Sequence, residues 1–84
     1  MPPISKFRRL DVRPMLARGQ EPYSAIRRRV EGLGPEEGLL VVAPFLPSPL
    51  IELLGSEGFL SRLEPGGRGT WLVYFWRELP EPGA

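Results

Sequence analysis

The side chains that most enzymes use for catalysis are scarce in this chain of 84 residues. It contains no Cys and no His, which excludes a thiolate nucleophile, a Cys-ligated metal and an imidazole base. Its basic charge comes from ten Arg and one Lys, against ten acidic residues. No pair of carboxylates is spaced for acid–base catalysis, so we expect a protein that is not an enzyme and needs no metal or cofactor.

One segment, residues 10–30, combines polar side chains with the start of a predicted helix. Pro22 is typical of the first turn of a helix, where free backbone N–H groups attract anions. Gly19 allows a ligand to approach the backbone closely. The alternative, which the negative charge of Glu21 favours, is that Glu21 or water satisfies these N–H groups. The predicted ligand-binding residues are Arg13, Arg18, Gly19, Gln20 and Glu21.

Composition and charge are those of an ordinary soluble globular protein. The net charge is +1, so no overall field indicates nucleic acid. Arg27, Arg28 and Arg29 would fan over about 200° of a helix and could not all face one RNA, so we expect a solvated helix face. No apolar run is long enough to span a membrane, and the first residues lack the apolar core of a signal peptide, which predicts a cytoplasmic protein.

Apolar spacing and the positions of proline predict the element order β-α-β-α-β-β. Each predicted helix begins at a proline, and each is ended by a glycine. The run Leu39 to Ala43 is apolar on both faces, as in a central strand. The predicted strands are Phe7 to Arg13, Leu39 to Ala43, Leu60 to Glu64 and Thr70 to Trp76; the helices begin at Glu21–Pro22 and Ser48–Pro49, and loops cover Pro14 to Gly19 and Pro65 to Gly69.

This order predicts a mixed four-stranded sheet. Strand–helix–strand units make right-handed crossovers, so the first two strands should be parallel, with both helices on one face. The last two strands should form an antiparallel hairpin. We therefore predict an α+β fold, an α/β two-layer sandwich, as a single domain over residues 1–84. Its folded part covers about residues 7–77 and its ends are expected to be flexible.

The last strand carries the main functional prediction. Leu72, Tyr74 and Trp76 point to the face of the sheet that the helices should not cover. Three large apolar side chains would then be exposed, and such patches often mark interfaces. We predict that these three residues bind a protein partner or a second copy of the chain. The alternatives are that Phe7 or the tail folds over them, or that the aromatic rings lie flat at the edge of the sheet.

Several short motifs, taken in order, resemble the TusA/SirA-like sulfur-carrier family. Leu10-Asp11-Val12-Arg13 matches the end of that family's first strand, and Glu21-Pro22 matches the start of its first helix. Pro44-Phe45-x-Pro47-x-Pro49-Leu50 is similar to the entry to its second helix, and Gly58-Phe59 to the turn that follows. The resemblance covers about residues 7–77 and implies the fold of that family.

The reactive residue of that family is absent. Aligned on Pro22, the family's Cys falls at Gly19, and Gly19-Gln20-Glu21-Pro22 stands in place of Cys-Pro-x-Pro. A persulfide carrier needs a thiolate at the helix start, so the resemblance implies an inherited fold without sulfur transfer. We expect a non-catalytic module, similar to Cys-less relatives of uncharacterised function, that binds a protein or itself. Sensing of a small anion is one alternative, and weak RNA binding is another.

Overall fold

The computed structural model describes residues 1–78 and contains one mixed four-stranded sheet in the order β1-β2-β4-β3. Strand β1 is parallel to β2, and the other two neighbouring pairs are antiparallel. The predicted α+β two-layer sandwich is confirmed. The strands are β1 (Phe7–Asp11), β2 (Gly38–Ala43), β3 (Leu60–Gly67) and β4 (Thr70–Trp76); the helices are α1 (Arg13–Ala17), α2 (Tyr23–Glu31) and α3 (Ser48–Ser56), and Ile4–Lys6 form a 3₁₀ turn.

Helices α2 and α3 bury one apolar stripe each against the same face of the sheet. In each helix the two buried residues are four apart, Ile26 and Val30 in α2 and Leu50 and Leu54 in α3, and therefore lie on one side of the helix. The core that they share with the strands contains Leu10, Val12, Leu39, Val41, Ala43, Phe59, Val73 and Phe75.

Residues 1–78 contain three α-helices rather than the predicted two, because α1 forms in the segment predicted as a loop. Strand β1 ends at Asp11, whose carboxylate accepts a hydrogen bond from the backbone N–H of Arg13 at 3.0 Å. Pro14 is tolerated in the first turn, where its missing N–H breaks no helical hydrogen bond. Met15 and Leu16 pack against the core, and this burial stabilises a helix too short to form alone.

The hairpin of β3 and β4 is tighter than predicted. Strand β3 extends to Gly67, and only Arg68 and Gly69 form the turn. Their φ angles, 51° and 80°, are both positive, as a two-residue hairpin turn with matching twist requires. The prediction of a flexible C-terminal end concerns residues 79–84, which lie outside the described part of the chain.

The face of the sheet opposite the helices is covered by side chains of the sheet itself. The ring of Phe7 packs edge-on against Tyr74, with centroids 5.0 Å apart, and against Trp76 at 6.3 Å. Tyr74 and Trp76 are therefore only 7% and 9% exposed, and Leu72 is half-buried. The expectation that these residues stand open to solvent is wrong. The alternative, in which Phe7 folds over them, is the arrangement observed.

Gly38 makes this aromatic packing possible. It pairs with Phe7 across the β1–β2 ladder. A Cβ atom at position 38 would overlap the ring of Phe7 and lie 2.7 Å from the backbone oxygen of Phe75. The absence of a side chain on β2 at this point therefore lets the ring of Phe7 reach over the strand to the aromatic residues of β4.

We expect Gly38→Ala to destabilise the fold, because the added methyl group must displace the Phe7 ring from Tyr74 and Trp76. Overpacking of this kind costs about 1–3 kcal/mol. Urea unfolding followed by tryptophan fluorescence would measure it.

Gly55→Ala is the matched control for this substitution. Gly55 lies in α3 and has open space where a Cβ would go, so alanine should be neutral or stabilise the helix by up to about 1 kcal/mol. Equal losses in the two variants would contradict the role assigned to Gly38.

Candidate functional site

The residues predicted to bind a ligand all lie where β1 ends and α2 begins. Gly19 ends α1 with a φ of +71°, in the left-handed region that favours glycine. Its N–H donates to the carbonyl of Leu16 at 3.0 Å, and the N–H of Gln20 donates to that of Met15 at 2.9 Å. These two bonds are those of a Schellman motif. Gly19 therefore has a structural role in ending the short helix.

The side chain of Arg13 is engaged within the protein. Its Nε and Nη2 atoms donate to the two carboxylate oxygens of Asp11 at 2.9 and 2.7 Å. Its Nη1 atom reaches the hydroxyl of Thr70 on β4 at 3.5 Å. The hydrogen bond from Arg13 is the main cause that lowers the pKa of Asp11 to about 2. This pair links β1, α1 and β4 at one end of the aromatic-bearing face.

The first N–H groups of α2, where an anion was predicted to bind, face the carboxylate of Glu21. That carboxylate accepts hydrogen bonds from the backbone of Tyr23 and Ser24, and from the Ser24 hydroxyl at 3.0 Å. A negative charge already occupies the positive end of the helix and would repel an anion. Arg18 donates to the side chain of Gln20 at 3.2 Å. Ligand binding by these residues stays a prediction. The side chains of Arg13, Arg18, Gln20 and Glu21 each already have a hydrogen-bond partner within the protein.

An apolar cleft at the same end of the sheet was not predicted from the sequence. It has a volume of about 80 Å³ and lies between the ends of β1 and β2 and the starts of α2 and α3. At its rim Tyr23 is 44% and Phe45 52% exposed, and the neighbouring Leu46 is 40% exposed. The sequence feature that could have indicated this cleft is Phe45, an aromatic residue within a proline-rich turn. The cleft is lined by Val12, Leu16, Pro22, Tyr23, Ile26, Val41, Ala43, Phe45, Pro47, Pro49 and Leu50.

The size and lining of the cleft decide what it can hold. A cavity that binds benzene measures about 150 Å³, and typical ligand sites measure about 300–1,000 Å³. A cleft of about 80 Å³ therefore fits one aliphatic side chain better than a cofactor. The Tyr23 hydroxyl is the one polar side-chain group among its lining residues, so it offers few means to orient a substrate.

Residues 1–78 also lack the features of a metal site, a buried charge or a membrane span. No three acidic residues come close enough there to hold a metal ion. No charged side chain in that part of the chain is buried. None of the helices it contains has the length and apolarity needed to cross a bilayer.

A family model matches most of this chain. It is described as an uncharacterized conserved protein, DUF2249, and it matches residues 9–77. The chain belongs to the DUF2249 family. The match extends from β1 to the end of β4 and so includes the Asp11–Arg13 pair and the cleft. No curated protein and no solved structure matches the chain.

A second ion pair joins the two long helices of this DUF2249 domain. Both terminal nitrogens of Arg27 donate to the carboxylate of Glu57 at 2.6 Å, and this bond lowers the pKa of Glu57. Arg77 adds a hydrogen bond to the Glu57 carbonyl at 3.1 Å. The Arg27 side chain is still 38% exposed, and Arg28 and Arg29 are exposed as well, as expected of a solvated helix face. The three arginines do not form one cationic surface.

The pKa of Asp11 predicts how the stability of this DUF2249 domain depends on pH. Its value falls from 3.8 to about 2 in the folded state, so the ionised carboxylate favours folding. The Asp11 contribution should be fully present well above the unfolded value of 3.8, and it should be lost as the pH falls through about 2. Carboxyl NMR titration would give the pKa directly.

A comparison with Asp11→Asn separates the contribution of Asp11 to the pH dependence of stability from the contributions of the other carboxylates. In thermal melts the variant should be less stable than the parent chain at pH 6, and the difference should shrink as the pH falls and disappear only below about pH 2. A difference in stability that does not change with pH would contradict the assignment.

Proposed function

We propose that this DUF2249 chain is a non-catalytic module that binds a partner protein at its apolar cleft and does not carry sulfur. The observation that supports this most directly is the exposure of Tyr23, Phe45 and Leu46 around the cleft. Large apolar side chains grouped on a surface are typical of protein interfaces, where aromatic residues contribute most of the binding free energy.

The shape of the cleft favours a protein ligand. An aliphatic side chain of the partner would enter between the rings of Tyr23 and Phe45. Pro47 and Pro49 also line the cleft and restrict its backbone, so this segment loses little conformational freedom on binding. A preformed apolar pocket with aromatic residues at its rim is the arrangement expected of an interface anchor.

The resemblance to TusA/SirA-like carriers supports the second half of the proposal. It places the carrier's Cys at Gly19, and the chain has no Cys at any position. A carrier must present its sulfur to other proteins at this end of the fold. The cleft lies at the same end, beside Pro22, which supports protein recognition there after loss of the reactive atom.

Site-specific crosslinking tests the proposed surface. A photoreactive residue at position 45 should capture a partner of defined mass in the native cells. The same group at Arg28, exposed on α2, should not capture it. An adduct that forms equally at both positions, or at neither, would contradict binding at the cleft.

The purified partner then allows a measurement of affinity. Tyr23→Ala and Phe45→Ala should each weaken binding about tenfold or more, as expected of aromatic anchors. Both side chains are exposed, so thermal melts should change little. Ile4→Ala, which truncates an exposed apolar side chain outside the cleft, is the control. Loss of affinity in the control as well would show that binding does not depend on the cleft.

A further inference from the structure

Strand β3 forms an edge of the sheet whose outer side has no neighbouring strand within residues 1–78. Seven of its eight residues are exposed, and only Glu64 is half-buried. Leu60 and Leu63 expose 44% and 43% of their surface. Exposed apolar residues are unusual on an edge strand, which proteins commonly protect from pairing with other chains. An uncovered edge of this kind can add another strand by backbone hydrogen bonding.

The hydrogen-bond ladders between neighbouring strands show which backbone groups of β3 point away from the sheet. The carbonyl of Val42 accepts a hydrogen bond from the N–H of Val12 at 3.0 Å, so the backbone of Val42 faces β1. Alternation through the two antiparallel ladders then directs the N–H and C=O of Ser61 and Leu63 away from β4. Pro65 also points outward, where its missing N–H costs no bond within the sheet. The free edge therefore offers regular donors and acceptors from Ser61 to Pro65.

The side chains of this edge are self-complementary in charge. When two copies of β3 run antiparallel about a two-fold axis at Leu63, each Arg62 faces Glu64 of the second copy. The backbone groups of the two Leu63 residues then bond each other, and each Ser61 N–H reaches the carbonyl of the opposing Pro65. Within one chain Arg62 and Glu64 share the face opposite the helices, 3.8 Å apart, so both pairs would form on that face.

Other pairings of the edges are disfavoured by charge. A shift of this pairing by two residues places Arg62 against Arg62, or Glu64 against Glu64, and like charges directly opposite are destabilising. In the other edge strand, β1, the carboxylate of Asp11 is already held by Arg13 through hydrogen bonds of 2.9 and 2.7 Å, so it is not free to pair with Arg9 of a second copy. The charge pattern selects one register, and the prior engagement of Asp11 favours β3 over β1.

We propose that the edge of β3 binds a second copy of this chain in an antiparallel pairing centred on Leu63, which joins two four-stranded sheets into one. The pairing is short and buries little surface, so the dimer is weak and depends on concentration. The cleft lies at β1 and β2, whereas β4 separates β3 from β2, so the cleft stays free. The proposal goes beyond partner binding at the cleft and does not depend on it.

Charge reversal tests the register by sedimentation equilibrium of the full chain over a range of concentrations. Arg62→Glu and Glu64→Arg each place like charges opposite each other at both sites, and each should raise the dimer dissociation constant about tenfold or more. A mixture of the two variants should form heterodimers of parental affinity. The double variant should regain the homodimer.

Arg28→Glu is the control. It makes the same charge change as Arg62→Glu, but on the exposed surface of α2, and should leave the dissociation constant unchanged. Restoration in the mixture also shows that both single variants are folded. A chain that stays monomeric at millimolar concentration would overturn the proposal. A dimer whose dissociation constant does not change in either charge reversal would also overturn it. If that dimer is lost in Leu72→Ser, the contact lies on the face of the sheet and not at the edge.

Discussion

The packing of Phe7 over Gly38 is the contact on which the second face of the sheet depends. Helices cover only one face, and a domain of this size has little core to spare. Because Gly38 has no side chain, the Phe7 ring reaches across β2 and shields Tyr74 and Trp76. Burial of such large rings contributes much of the hydrophobic stabilisation available to a small domain. The sheet thereby has apolar packing on both faces with only two layers of backbone.

Polar side chains complete the same face at its other end. Arg13 holds Asp11 through two charge-assisted hydrogen bonds and reaches Thr70 on β4. The same Asp11 carboxylate also fixes the first N–H of α1. Several residues that suggested a binding site in the sequence therefore stabilise the fold. Arg13 does so by binding Asp11, Gly19 by ending α1 and Glu21 by accepting hydrogen bonds at the start of α2. The two binding surfaces that we propose, the cleft and the edge of β3, lie apart from these residues or beside them and do not depend on their side-chain pairing.

The part of the candidate site that could be predicted from the sequence consists of contacts between residues close together in the chain. Asp11 and Arg13 are two residues apart, so their pairing and a competing role for Glu21 were both foreseeable from spacing. The cleft was not, because its walls come from segments as distant as Val12 and Leu50. The Arg27–Glu57 pair joins residues 30 positions apart, and no helical periodicity relates them.

The sequence by itself determined the four strands, the two long helices and the order in which these six elements follow one another, because apolar periodicity and proline positions act over a few residues. Strand β4 was predicted with its observed bounds, Thr70–Trp76. Only the tertiary structure decided that α1 forms, since five residues show no periodicity and are held by contact with the core. It also decided that Tyr74 and Trp76 are covered, because that depends on Phe7 lying beside Gly38 in the β1–β2 register. Register is set by the packing of the whole sheet, and no single stretch of the chain encodes it.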